Sequence, residues 1–530
     1  MHRRKFIRCC SFVFPAVYLN NKFGDKMLND KGKIVFSRFI DDDNYIRKLG
    51  DTVLRKSAKL GCSYSDFRVS SIRTQRIASR ENTILGISDD EDFGFSVRVL
   101  KDGVWGFAAS STVTETEAEK ITVIAHELAE ESKQIQKRRV ELVPVPAYID
   151  LWRTPIKTDP FDISVDDKVN LLFKINQKAL DLGADYCSSF VWFAKEMKWF
   201  MSSEGSFIKQ EIDRTWPQFD LTVVDKTTGK FENRTSLTAP VGKGYEYIEE
   251  YDFIADIEKA VEETKMKLKA ESVKPGYKDI ILDPTHLWLT IHETCGHPSE
   301  LDRALGFETN YAGTSFLTTD KLGKLKYGSE IVNLVADRTQ KDGLATRGYD
   351  DDGVKTTQWH IIKNGLFVGY QTTREMASYI GETVSNGCAY SDSWSHYPIQ
   401  RMPNISLSPG ANRLGLKDLI TETEDGIYIC GDGSWSIDMQ RYNFQFTGQV
   451  FYEIKNGQIT KLLRDVAYQG NTVVFWNSCD KICDASEYKL GGSFFCGKGE
   501  PGQVSPVSHG SSPARFKKIK ILNTSKESKR

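Results

Sequence analysis

Apolar positions along this chain recur with two periods, and the places where one gives way to the other mark out its elements. Residues 44–60 carry apolar side chains three and four apart and stop at Gly61, which predicts a helix. Residues 66–79, 84–87, 93–100 and 104–110 read as strands of an antiparallel meander, with Lys101-Asp102-Gly103 as a hairpin turn. Thr114 and Glu117 have the spacing of a capping box, and Ala118, Ile121, Ala125 and Leu128 fall on one stripe of the helix that follows. A second helix over 165–182 precedes strands at 186–201 and 207–224, and a third covers 254–270.

The polar stretch Glu271-Ser272-Val273-Lys274-Pro275-Gly276 is a boundary signal. Beyond it, residues 278–282, 358–362, 366–371, 426–430, 440–454 and 464–466 read as strands, and 515–522 alternates imperfectly before a polar tail. The pattern predicts an α+β protein with mixed and antiparallel sheets and flanking helices. Its expected divisions are a leader at 1–42, an α+β domain at 43–270 that encloses substrate or dimerises, and a β-rich domain at 271–530 that carries the chemistry.

At 530 residues, 40% hydrophobic and 27% charged, the chain has material for large buried cores. A formal charge of −1 gives no electrostatic case for nucleic acid as a partner. No run of about 20 apolar residues follows the N-terminus, so no membrane-spanning segment is expected. Ten cysteines without regular spacing do not make a disulfide scaffold. The opening Met1-His2-Arg3-Arg4-Lys5-Phe6-Ile7-Arg8 resembles a twin-arginine signal followed by an apolar stretch, which predicts export to the periplasm. Pro15 interrupts that stretch and no A-x-A site follows, so a basic cytoplasmic leader is the alternative.

Chemistry concentrates in Ile291-His292-Glu293-Thr294-Cys295-Gly296-His297-Pro298. Two neutral imidazoles can ligate Zn²⁺, and the carboxylate beside the first can take a proton from metal-bound water. The histidines stand five apart rather than four, roughly 140° around an α-helix, so an undisturbed helix aims them at different sides. Gly296 tolerates non-helical angles and Pro298 disfavours the α region for His297. A helix that unwinds or bulges at Gly296 is therefore expected to turn His297 back toward the metal.

A zinc enzyme needs a third protein ligand and an open position. His2, His126, His286, His360, His396 and His509 are the remaining histidines. Cys295 would require a cramped chelate, and Cys479 and Cys483 read as buried thiols. Cys496 ends the run Ser493-Phe494-Phe495 and opens Gly497-Lys498-Gly499, a strand end that can present one side chain to a site. Asp350-Asp351-Asp352-Gly353 lacks the ligand spacing of a Ca²⁺ loop and reads as a solvated acidic turn. Gly431-Asp432-Gly433-Ser434 reads as a turn with no phosphate-binding sequel.

The zinc segment and the following ELDRALGFETNYAGTSF (300–316) resemble the TldD branch of the TldD/PmbA metalloproteases. Further matches recur in order: Gly348-Tyr349-Asp350-Asp351-Asp352-Gly353, Asn364-Gly365, Gly369-Tyr370, Arg401-Met402-Pro403-Asn404, Pro409-Gly410, and Phe495-Cys496-Gly497-Lys498 with Gln503 and Pro506-Val507. Thr294-Cys295 and Pro298-Ser299 depart from the family's small apolar residues and glycine. The resemblance implies a two-domain fold, zinc held by His292, His297 and Cys496, and Glu293 as general base. It implies hydrolysis of unfolded or flexible peptides by a dimer, either of two copies or of this chain with a paralogue. Two other readings are a non-catalytic peptide-binding subunit of such a dimer, which would have lost its ligands, and a dipeptidyl peptidase with an H-E-x-x-G-H motif, which would need a glutamate-rich helix downstream.

Overall fold

The computed structural model describes residues 42–499 and 502–527. The stretch read as an export signal lies outside them. Helix α1 (Asp43–Lys59) precedes a meander of three strands: β1 (Tyr64–Arg80), β2 (Thr83–Lys101) and β3 (Val104–Ser110). The two apolar runs expected between 84 and 100 are thus one strand, paired with β1 along its whole length. Helix α2 (Glu115–Ser132) starts at Thr114, whose side chain accepts from the Glu117 N–H, while Glu117 itself accepts from Ser110 and Lys120. The buried stripe of α2 runs through Ala118, Ile121, Ala125 and Ala129, and Leu128 is exposed. That correction follows from 3.6-residue geometry, in which a step of four continues this stripe more centrally than a step of three.

After β4 (Ile149–Arg153), helix α3 (Val165–Asp181), β5 (Tyr186–Ser202), β6 (Phe207–Val224) and β7 (Phe231–Thr235) complete a seven-stranded sheet. Its order is β3-β2-β1-β5-β6, with β4 and β7 both pairing with β6. Alternation along these strands sends Phe67 and Val69 to one face and Asp66, Arg68 and Ser70 to the other. Across the register, Ser96, Arg98, Glu196 and Lys198 join the second face. This polar face is itself buried.

Two helices, α4 (Glu246–Glu250) and α5 (Phe253–Lys269), lead into the second half. There β8 (Glu271–Ser272) and β9 (Gly276–Leu282) are followed by α6 (Pro284–Ile291). Strands β10 (Leu334–Asp337), β11 (Gln358–Lys363) and β12 (Leu366–Phe367) follow, then the short pair β13 (Ala389–Tyr390) and β14 (Ile399–Gln400), and β15 (Asn404–Leu407). Next come β16 (Asp425–Ile437), β17 (Asn443–Lys455), β18 (Gln458–Arg464), β19 (Val466–Asn471) and β20 (Cys479–Ile482). The hairpin β21 (Lys489–Lys498) and β22 (Gln503–Ser511) precedes the last strand, β23 (Ala514–Asn523).

Strand β16 pairs with both β9 and β17, so the ladder β16-β9-β23-β19-β17 closes on itself. Ile280, Leu282, Ile427, Ile429, Phe446 and Phe516 fill one side of it, and Ile281, Tyr428, Cys430 and Val450 the other. Gly431-Asp432-Gly433-Ser434 is no turn. It lies inside β16 at a register shift, with Gly431 at φ 68°, because a bulge in a long curved strand asks for the same residues as a turn. The strand expected at 464–466 is a corner between β18 and β19, with Asp465 at φ 60°. No helix among the described residues is long and apolar enough to cross a membrane.

The acidic turn Asp350–Gly353 is not solvated. Asp350, Asp351 and Asp352 are buried against the polar face of the first sheet. Arg98 bonds Asp352 and Asp66 at 2.7 Å each, and Lys198 bonds Asp351 at 3.0 Å. Arg68 approaches Asp351 at 3.5 Å and bonds Ser391 at 2.7 Å. Buried charges persist only when paired and hydrogen-bonded, and here each half of the chain supplies what the other lacks.

Candidate metal centre

Helix α6 is set by Asp283, which accepts from the Thr285 N–H at 3.0 Å, and by Pro284 in its first turn. It packs against β16 and the β21–β22 hairpin. The helix does not end at Ile291 but widens into a π turn over His292–Gly296, in which the His297 N–H donates to the His292 carbonyl. An i→i+5 turn returns residue i+5 to the side of residue i, which is what five-residue spacing of the histidines requires. The ring centroids of His292 and His297 are 4.6 Å apart.

The expected backbone distortion is present, but its cause differs from the sequence reading. Gly296 (φ −58°, ψ −65°) and His297 (φ −62°, ψ −43°) both keep helical angles. Glycine leaves room for Met402: a Cβ at this position would sit 2.4 Å from its sulfur, and the methionine would have to shift. Pro298 stands in the first turn of a short 3₁₀ segment, where its missing N–H costs nothing. Carbonyls loosened by the wide turn find side-chain donors. Gln371 donates to the Gly296 oxygen at 2.5 Å, Ser299 to the Cys295 oxygen at 2.7 Å, and Tyr327 to the Thr294 oxygen at 2.9 Å.

His292, His297 and Cys496 are brought together. One ligand atom from each lies within 4.8 Å of the others, and among the described residues this is the one such trio of metal-ligand types. Cys496 is not at the strand's end but two residues inside β21, opposite Ser505 of β22. Arg401 fastens that hairpin by donating to the carbonyls of Cys496 and Gln503.

Hydrogen bonds fix the tautomers. Nδ1 of His509 lies 2.8 Å from the Ile405 carbonyl and must carry a proton, so its Nε2 is an acceptor. Nδ1 of His292, 2.8 Å from that Nε2, is then the donor, which leaves Nε2 of His292 with its lone pair. Nδ1 of His297 donates to Glu300 at 2.9 Å, and its free Nε2 lies 3.8 Å from the Cys496 sulfur. A tetrahedral zinc site with the usual N and S bond lengths has N···S separations of about 3.6 Å, so these donors fit the ion in type and spacing. Burial lowers both imidazole pKa values and keeps them in the ligating neutral form. Burial alone would raise the Cys496 thiol, but its coupling to His297, which can take up its proton, and the nearby Arg401 outweigh burial and hold it below its ordinary value.

Glu300 bonds Lys498 at 2.9 Å as well as His297, and Lys498 also bonds Asp302 at 2.8 Å. Burial would raise the Glu300 carboxyl, yet Lys498 and His297 hold it well below the carboxylate range. Glu293 is bonded through Oε2 to Arg441 at 2.5 Å. Arg441 sits at φ 65° in a turn whose Asp438 accepts from the N–H groups of Tyr442 and Asn443. Strained backbone over-determined by its surroundings is a recurrent feature of functional sites.

The other candidates stay apart. His286 is buried between the Gly431 carbonyl and Tyr468, His126 is half-buried beside Glu130, and His396 bonds Asp392. His360 is exposed on β11, and His2 lies outside the described residues. Cys295, Cys479 and Cys483 are buried thiols. Sequence reasoning missed the supporting roles of His509, Glu300, Lys498 and Arg441. Two carried a signal: Glu300 is three residues past His297, one helical step, and Lys498 is two past Cys496, the same strand face.

Comparison with known proteins finds metallopeptidases across most of the chain. A sequence model of the PmbA/TldA metallopeptidase C-terminal domain matches residues 275–522, and one of domain 1 of the same metallopeptidases matches residues 65–132. A metalloprotease of Methanocaldococcus jannaschii is 30% identical over 84% of this chain and 94% of its own length. A zinc metalloprotease TldD homolog of Saccharolobus solfataricus is 27% identical over 88% of this chain and 98% of its own. Among solved structures, TldE from Thermococcus kodakarensis superimposes with a TM-score of 0.70 at 18% identity, covering 89% of this chain and all of that one. With family models matched in both halves and a relative 30% identical over most of its length, the chain belongs to the PmbA/TldD metallopeptidase family.

Proposed function

We propose that this metalloprotease hydrolyses peptide bonds of unfolded or flexible peptides at a zinc ion held by His292, His297 and Cys496, with Glu293 as general base. The observation that carries this reading is the convergence of two imidazoles and one thiol, with one ligand atom of each within 4.8 Å of the others. Zinc bound there would supply Lewis acidity, polarising a peptide carbonyl and acidifying water. Glu293 accepts the proton from the attacking water and passes it to the departing amine. Arg441 grips one carboxylate oxygen of Glu293 and so restrains the rotation of that carboxylate. His509 and Glu300 hold each imidazole in the tautomer that presents Nε2.

A dimeric assembly, of two copies or with a TldD/PmbA paralogue, is part of this reading. It is supported by the far end of β2, where Ile84, Leu85 and Ile87 are 44%, 62% and 47% exposed on one strand. The test pairs metal analysis with digestion of a denatured protein. E293Q is expected to retain one zinc per chain and lose turnover by about 10²-fold or more. C496S is expected to lose zinc. Full metal and activity in C496S would remove the third ligand and with it the proposed centre.

A further inference from the structure

Between the first sheet and the β21–β22 hairpin lies a cavity of about 600 Å³. Trp105, Phe107, Phe307, Tyr311 and Tyr397 give it aromatic walls, and Asp302, Glu308, Asp352 and Glu375 line it against the single guanidinium of Arg98. It adjoins the metal centre. Gln503 pairs with Lys498, two residues along β21 from Cys496, which puts the backbone of this wall about 8 Å from that of the third ligand.

Charge within the cavity is unbalanced in one direction. Asp352 is paired with Arg98, and Asp302 with Lys498. Glu375 accepts from the Trp105 indole at 3.0 Å and the Tyr379 hydroxyl at 2.7 Å, both neutral donors. Glu308 accepts from the Gly499 N–H at 3.2 Å. Neither of these two carboxylates forms an ion pair among the described residues. Burial raises the pKa of both, as expected of a negative site without its counter-cation.

A second observation points to a ligand. Gln400 and Gln503 line the cavity and are 3% and 4% exposed. Both amide atoms of Gln400 and the amide oxygen of Gln503 lack any hydrogen-bond partner. Buried polar atoms unmatched within the fold beside a cavity are met by water or by a ligand that displaces it. The size suits a side chain with its flanking peptide groups, and the aromatic walls suit a cation.

We infer that this cavity is the subsite for a lysine or arginine side chain of the peptide, with Glu308 and Glu375 facing its charge and Gln400 and Gln503 bonding the adjacent peptide groups. The inference rests on the peptidase reading of the neighbouring metal centre. An acidic side chain is disfavoured by the two unpaired carboxylates, and a purely apolar one leaves the glutamines unmatched.

The experiment has two arms. In the first, the zinc-loaded protein digests a denatured-protein peptide library, and cleavage sites are mapped by mass spectrometry for wild type and E308Q. Cuts are expected to cluster at a fixed position relative to lysine or arginine, and E308Q is expected to lower kcat/KM for basic peptides by about tenfold while sparing those with norleucine at that position. In the second, zinc-loaded E293Q is titrated by calorimetry with a pentapeptide amide bearing a central arginine among alanines, and with its norleucine counterpart. The arginine peptide is expected to bind about tenfold tighter, and E293Q/E308Q to abolish the difference. Equal binding of the two peptides, or a cleavage map indifferent to basic residues, would overturn the inference even if proteolysis is robust. No cleavage of any peptide, with selective arginine binding intact, would instead count against the peptidase reading and leave the subsite standing.

Discussion

Replacing Asp351 with asparagine separates two incompatible accounts of the acidic turn. If that turn were solvated, the change would fall within about 0.5 kcal/mol of neutral. In the fold, Asp351 is 3% exposed, bonds Lys198 at 3.0 Å and the Ser391 N–H at 2.8 Å, and faces Arg68 at 3.5 Å. Breaking a buried pair by removing one partner costs about 3–5 kcal/mol. Glu196 still bonds Lys198 at 2.9 Å, which points to the lower end of that range. At about 2.1 cal/mol/K of unfolding entropy per residue, a chain of this length loses roughly 3 °C of melting temperature. The pH dependence gives a second handle. Burial would raise the Asp351 carboxyl, but Lys198, Arg68 and Arg347 hold it below its ordinary value. A depressed folded pKa contributes stability above the unfolded value, near 3.9, and loses it as pH falls through the folded value. The gap between wild type and D351N in urea midpoint is therefore expected to hold from pH 8 to pH 5 and to narrow only below about pH 4. A gap under 0.5 kcal/mol at pH 7 would refute the buried network.

Three other changes probe the centre itself. H509F keeps an aromatic ring but removes the acceptor for Nδ1 of His292, and is expected to weaken zinc binding about 10- to 100-fold in competition with a chelating dye. R441M frees the second oxygen of Glu293. It should lower kcat by roughly tenfold or more at unchanged zinc content, with R441K restoring part of it because a single N–H contact is involved. G296A adds a methyl against Met402 and should destabilise the fold by about 1–3 kcal/mol in urea. An unaltered midpoint for G296A would mean that the glycine is not there for space.

Local pattern carried the sequence reading as far as local causes reach. The strand alternation around 66–110, the helices and the two histidines with their glutamate were all legible, because each is decided by residues within one turn or one pleat. The five-residue spacing also signalled a distortion near Gly296. Its nature was not legible, since the side chains that bond the loosened carbonyls, Tyr327 and Gln371, stand tens of positions further along the chain. The acidic turn misled for the same reason. The cations nearest to Asp350-Asp351-Asp352 in sequence, Arg347 and Lys355, form none of its ion pairs, and the side chains that do, Arg68, Arg98 and Lys198, stand on strands in the other half of the chain. Cys496 was placed at a strand end because the following glycines look like a turn, whereas pairing with β22 carries the strand on to Lys498.

The same long-range pairings bear on what the first half contributes. All three candidate ligands come from the second half, which could invite the view that the first sheet is a passive handle. Three contacts argue otherwise. Phe494 and Phe495, the residues before Cys496, pack on Trp216 and Trp192 of β6 and β5 with ring centroids 5.5 and 4.9 Å apart. Arg98 of β2 both pins the acidic turn and lines the cavity beside the centre. Gln210 of β6 bonds the Gly348 and Tyr349 N–H groups at 3.0 and 2.9 Å, at the base of that turn. The strand that presents the sulfur is therefore backed on one side by rings from the first sheet, and the space next to it is walled by another part of the same sheet. A second half expressed alone would keep its histidine helix but expose the aromatic backing of β21, so the position of Cys496, and with it any affinity for metal, depends on both halves.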